Sequence, residues 1–160
     1  MTRRTRVWIP FYQTATVAAS GTKTASDMLA NFETEVGLQE RSLTIERIIG
    51  TVSWRATAVA NNMDRSNFGI AVMSEHIDSD DFPNIETASG RWMWQQQVHF
   101  IGAAHDSTSV TDQRVPSTIP IDVAVMRKIH ADQKLFWFIH NAGSHGIEYF
   151  LHVRILTILP

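Results

Sequence analysis

Seven histidines, at positions 76, 99, 105, 130, 140, 145 and 152, are the most chemically versatile side chains in this sequence. An imidazole makes a metal site only when spacing brings a second ligand to the same side, as in His-x-His on a strand or His-Glu-x-x-His on a helix. Neither spacing occurs. His140 and His145 instead bracket the turn NAGSH with Glu148 close behind, the one grouping a metal-dependent, cupin-like enzyme could use. The plainer reading makes them polar turn residues and partly buried strand histidines. Crowded carboxylates repel one another and a hard cation relieves that repulsion, so Glu75, Asp78, Asp80, Asp81 and Glu86 are formal calcium ligands. They lack the Asp-x-Asp-Gly order of an EF-hand loop and read as a solvated surface loop. Nucleophilic chemistry finds no Gly-x-Ser-x-Gly elbow and no cysteine, and phosphate chemistry finds no glycine-rich cradle. The sequence is therefore read as non-enzymatic, with no catalytic residue, no metal and no cofactor assigned.

Two groups of side chains suit binding instead. Arg3, Arg4 and Arg6 lead into Trp8, a pattern that can hold phosphate backbone and stack a base, with salt-sensitive affinity from so few charges. Many copies pointing these tips into one volume would multiply the effect. Trp92 and Trp94, two apart in a stretch of alternating pattern, fall on one face of a strand and read as core or subunit-interface anchors, or as a sugar-stacking platform. Arginine outnumbers lysine eleven to three, a bias suited to bidentate and stacked contacts at interfaces.

These groups need a scaffold. At 160 residues, 44% hydrophobic and with five Trp and eight Phe, the chain suits one domain spanning 1–160 with a substantial core, and wholesale disorder is excluded. No apolar run approaches the roughly 20 residues that cross a bilayer, no export segment is read, and no membrane partner is expected. The formal charge of −2, of which the arginine tip contributes +3, excludes a globally basic nucleic-acid binder. Period-two alternation predicts strands over 7–12, 91–100, 119–129, 135–140 and 147–159, and a doubly buried strand over 68–73. In RSLTIERIIGTVSWRATA the apolar parity changes, predicting a bulge near Ile48–Gly50. Residues 1–6 form a short basic tip. Residues 13–40 read as a connector, with Thr14–Ala18 as a candidate further strand, carrying one short helix capped by Ser26, with Met28, Leu29, Phe32 and Val36 on one face and Gly37 as its stop. Residues 74–90 and 102–117 read as long loops, and HADQK and NAGSHG as hairpin separators. The sum is an all-β, antiparallel, jelly-roll-like sandwich with one short helix.

The segments TIERIIGTVSW, RWMWQQQVHF, IPIDVAVMRKIHADQKLFWFIHN and HVRILTIL, following an arginine-rich start and a Trp-bearing strand, resemble single jelly-roll capsid proteins of small single-stranded DNA viruses and similar short virion proteins. The resemblance implies eight strands, loops and edges that contact neighbouring subunits in a closed shell, and an N-terminal end facing the interior. It implies a virion location, with further copies or other capsid proteins as partners and weak nucleic-acid contact at the tip. Genome-packaging members of that class carry a much longer basic arm than Arg3, Arg4 and Arg6, which leaves a decoration or minor virion protein as an alternative. A carbohydrate- or host-surface-binding sandwich using Trp92 and Trp94 is a further one.

Overall fold

The computed structural model describes residues 5–32, 42–57, 63–74, 92–101 and 117–159. Eight strands run in chain order: β1 (Thr5–Val17), β2 (Thr22–Asp27), β3 (Leu43–Ala56), β4 (Met63–Ser74), β5 (Trp92–Ile101), β6 (Ser117–Ile129), β7 (Gln133–Asn141) and β8 (Ile147–Leu159). They form two four-stranded sheets, sheet A in the order β1-β8-β3-β6 and sheet B in the order β2-β7-β4-β5, and every pairing is antiparallel. Successive strands fall in opposite sheets at every connection except β4–β5. This is the interleaved order of a jelly roll.

Alternation explains the sandwich. In β8, Ile147, Tyr149, Leu151, Val153 and Ile155 are buried while Phe150 and Arg154 are exposed. The inward side chains of both sheets form one core, in which each fully buried aliphatic contributes about 1.5–3 kcal/mol. Its centre is aromatic and joins the sheets. Trp54 of β3 meets Phe68 of β4 edge-on at 5.5 Å, Phe68 stacks on Trp137 of β7 at 5.6 Å, and Trp137 meets Tyr149 of β8 at 6.3 Å and Trp94 of β5 at 6.1 Å. Burial pushes the Tyr149 hydroxyl up to about 12 from its ordinary value of 10.

The structure corrects the sequence reading in several places. Much of the 13–40 connector is strand: β1 continues to Val17, and β2 occupies 22–27. Strand β2 is made of Thr, Lys, Ala, Ser and Asp, with no apolar alternation to reveal it; as an edge strand it needs only β7 as its ladder partner. The helical turn begins at Ala30, and Ser26 lies within β2 rather than capping it. The adjacent carboxylate closes the turn that leads into it: Asp27 Oδ1 accepts a 2.9 Å bond from the Leu29 amide, and Met28 and Leu29 are buried. Val36 and Gly37 lie outside the described residues, as do most of the two long loops. The bulge in β3 falls at Glu46, between Ile45 and Arg47, two residues earlier than expected. The separators HADQK and NAGSHG make sheet-to-sheet crossings, not hairpins, since β7 pairs with neither β6 nor β8.

One end of the sandwich is tied by a buried polar group. Asn141 is fully buried, and its Nδ2 lies within hydrogen-bonding distance of the carbonyls of Ala18 at 3.0 Å and His145 at 2.8 Å. Its Oδ1 accepts from Ser66 Oγ at 2.9 Å and the Gly143 amide at 3.1 Å. The β1–β2 corner turns through left-handed residues, Ser20 at φ 65° and Gly21 at φ 83°, which only glycine adopts without strain. Their amides bond the carbonyls of Gly143 and Asn141, each at 2.9 Å.

Candidate functional site

The outer face of sheet A is built from the residues that alternate with its core positions. Its rows, read across β1 and β8, are Thr14 with Phe150, Tyr12 with His152, Pro10 with Arg154 and Trp8 with Leu156. Trp8 is 43% exposed, Phe150 49% and Tyr12 60%, large values for rings on a sheet otherwise well packed. Tyr12 and His152 stack at 4.6 Å with planes 22° apart, and the Arg154 guanidinium lies 5.4 Å from the Trp8 ring centroid. Beside Tyr12 and His152, on the β3 side, is a shallow open cleft lined by Tyr12, Ile49, Gly50, Thr51, His152 and Arg154.

Ion pairs frame the face. Arg6 forks over Glu46, with Nε 2.9 Å from Oε2 and Nη2 donating to Oε1 at 3.2 Å. Arg47 grips Asp122 bidentately at 2.9 and 2.8 Å, which holds the Asp122 carboxyl below its ordinary value and raises the guanidinium. Arg55 pairs with Glu148 at 2.5 Å. Lys128 shares a row with Thr44 and Ile158 on the same face. Among the described residues the face thus carries five cations, Arg6, Arg47, Arg55, Lys128 and Arg154, and three carboxylates, each bound to an arginine.

Sheet B bears a second apolar cluster outside the main core. Ala71, Met73 and Phe138 are buried there beneath Ala25, Trp92 and Phe136, with Trp92 and Phe138 at 5.3 Å. A glycine makes room for it: any side chain at Gly69 would run into the Trp92 ring.

The sequence-predicted residues distribute as follows. Trp92 and Trp94 do not share a face. Strand β5 carries one extra residue, Met93, so Trp94 pairs with Ile70 toward the core and Trp92 with Ala71 toward the outside. A two-ring sugar platform from this pair is therefore not formed. Arg6 is engaged by Glu46 and Trp8 by Arg154, while Arg3 and Arg4 lie outside the described residues. The suggested metal ligands are dispersed: Glu148 pairs with Arg55 on the outside of sheet A, His140 alternates with buried Ile139 and Asn141 and so faces outward from sheet B, and His145 Nδ1 lies 3.0 Å from Ser144 Oγ. No group of three or more metal-ligating side chains occurs among the described residues. The acidic stretch 75–86 lies outside them. No helix of the described residues is long and apolar enough to cross a membrane.

Sequence reasoning missed Tyr12, Phe150, His152 and Arg154 as a surface. The signal was present in the closing strand, whose second face alternates aromatic, imidazole and guanidinium groups where a simply solvated face would carry short polar ones.

No family model matches the chain, and no curated protein matches it. Among solved structures it is similar to Desmodium yellow mottle tymovirus, at 9% identity over 100% of this chain and 91% of that one, with a TM-score of 0.41. It is likewise similar to the empty head of turnip yellow mosaic virus, at 12% identity over 99% and 82%, TM-score 0.40. A third is the semi-empty virus-like particle of the Macrobrachium rosenbergii nodavirus, at 13% identity over 100% and 87%, TM-score 0.37. Each of these is the structure of a virus or a virus-like particle.

Proposed function

We propose that the chain is a non-enzymatic structural subunit of a virion, a jelly-roll-like domain spanning 1–160 that associates with further copies of itself in a shell or in a layer coating one. The observation that carries this reading is the jelly-roll strand order combined with an apolar cluster on the wrong side of a sheet. A sandwich needs one core, yet Trp92, Phe136 and Phe138 gather outside it on sheet B. Phe138 is already covered within the subunit, but the half-buried rims of Trp92, on edge strand β5, and Phe136 suit completion of their burial against a neighbouring subunit. The exposed Met126, on edge strand β6, offers a second contact. The virion is the location that follows, and the arginine tip, repeated around an enclosed volume, is its nucleic-acid-facing end.

Size-exclusion chromatography with light scattering, followed by electron microscopy of the purified protein, tests the reading. Particles or a defined oligomer are expected, and Phe136→Ser is expected to reduce the assembled fraction while circular dichroism still reports the β-fold. A monomer at all concentrations and salts would defeat the reading.

A further inference from the structure

We propose that the outer face of sheet A is a binding platform for single-stranded nucleic acid, with Tyr12, His152 and Trp8 as stacking surfaces and Arg154 as the phosphate contact. The platform goes beyond the shell reading and does not depend on it, since every residue it uses belongs to one subunit.

Three features converge on this ligand. The exposed rings stand on adjacent strands of one sheet, and six residues of β1 separate the Trp8 row from the Phe150 row, about 20 Å at strand rise. That span suits a few unstacked nucleotides, and four-stranded sheets that bind single strands stack two or three bases on such rings. The cleft beside Tyr12 and His152 joins an aromatic wall, the apolar Ile49, the Thr51 hydroxyl and the Arg154 guanidinium, the combination a flat base attached to an anion requires. Charge then chooses among occupants. Among the described residues the three carboxylates of the face are each tied to an arginine, leaving Arg154 and Lys128 as surplus cations there. A polyanion matches that surplus, a neutral sugar leaves it unmatched, and a second copy of the same face would repel it.

The test is fluorescence anisotropy of a fluorescein-labelled oligothymidylate of about twelve nucleotides, within the site size of one such module, titrated with dissociated subunit at low salt. Binding is expected to weaken steeply as salt rises. Tyr12→Ala and Arg154→Glu, both at exposed positions, are each expected to weaken it about tenfold or more, within the range of a lost stacked base. Trp8→Phe is expected to retain most binding while removing the tryptophan quenching that accompanies it. Arg3→Ala with Arg4→Ala separates the tip from the sheet and is expected to leave quenching at saturation in place. The proposal is overturned if wild type does not bind, if Tyr12→Ala and Arg154→Glu bind like wild type, or if only the tip substitutions abolish binding. It is also overturned if a neutral oligosaccharide competes as well as the oligonucleotide, or if the two sheet substitutions alter only self-association. Failure to form particles would leave this result intact, so the two readings fail separately.

Discussion

Asn141 is a side chain on which several backbone segments depend. Its amide reaches two chain corners and strand β4 from a fully buried position, and all these partners lose their hydrogen bonds together if it is shortened. Asn141→Ala is expected to cost about 2–4 kcal/mol, read as a lowered urea midpoint, because buried groups left unsatisfied cost more than the mean hydrogen bond contributes. In the sequence this residue is merely the first of the turn NAGSHG, and nothing in its neighbours announces a hub. Its partners at 18, 66, 143 and 145 are brought together only by tertiary structure. Trp92 and Trp94 were legible as two aromatics of one strand but not in direction, since one inserted methionine sends them to opposite sides. His140, His145 and Glu148 show the converse: proximity in sequence across a crossing between sheets does not bring side chains together.

At the scale of the strand, alternation was readable wherever one face meets the core, which is why β3, β6, β7 and β8 stand close to where period two places them. It failed at β2, whose residues are small and polar, and in choosing between hairpin and crossing, because a short turn looks the same in sequence whichever sheet receives it. Bulges lie between these cases. The change of parity in β3 demands one, and Glu46 supplies it: Leu43 and Ile45 are buried before it, and Ile48, Val52 and Trp54 after it. Deleting Glu46 should turn Leu43 and Ile45 to solvent or force the rest of β3 outward. Two lost aliphatic burials alone amount to about 3–6 kcal/mol. The expected outcome is a variant lacking a cooperative thermal transition by circular dichroism, whereas Glu46→Ala, which keeps the extra residue and loses only an exposed ion pair with Arg6, should melt within a few degrees of wild type.

For the molecule as a whole, the aromatic centre couples stability to pH. Tyr149 ionises near 12 in the fold and near 10 when exposed, so the folded state favours the neutral phenol. The contribution is intact below pH 10 and is lost as pH rises from 10 through about 12, at most about 2–3 kcal/mol. Chemical denaturation across that interval should show a falling free energy that Tyr149→Phe abolishes. The jelly-roll order has a consequence of another kind. Strand β8 is the last of the eight in sequence yet lies inside sheet A, and among the described residues β1 has no other ladder partner. A nascent chain leaving the ribosome therefore carries β1 unpaired, with Trp8 and Tyr12 uncovered by their eventual neighbours, until its closing strand emerges. Folding must finish late and over long loops, the regime of slow, millisecond-to-second kinetics, and the unfinished chain is exposed to aggregation throughout that wait.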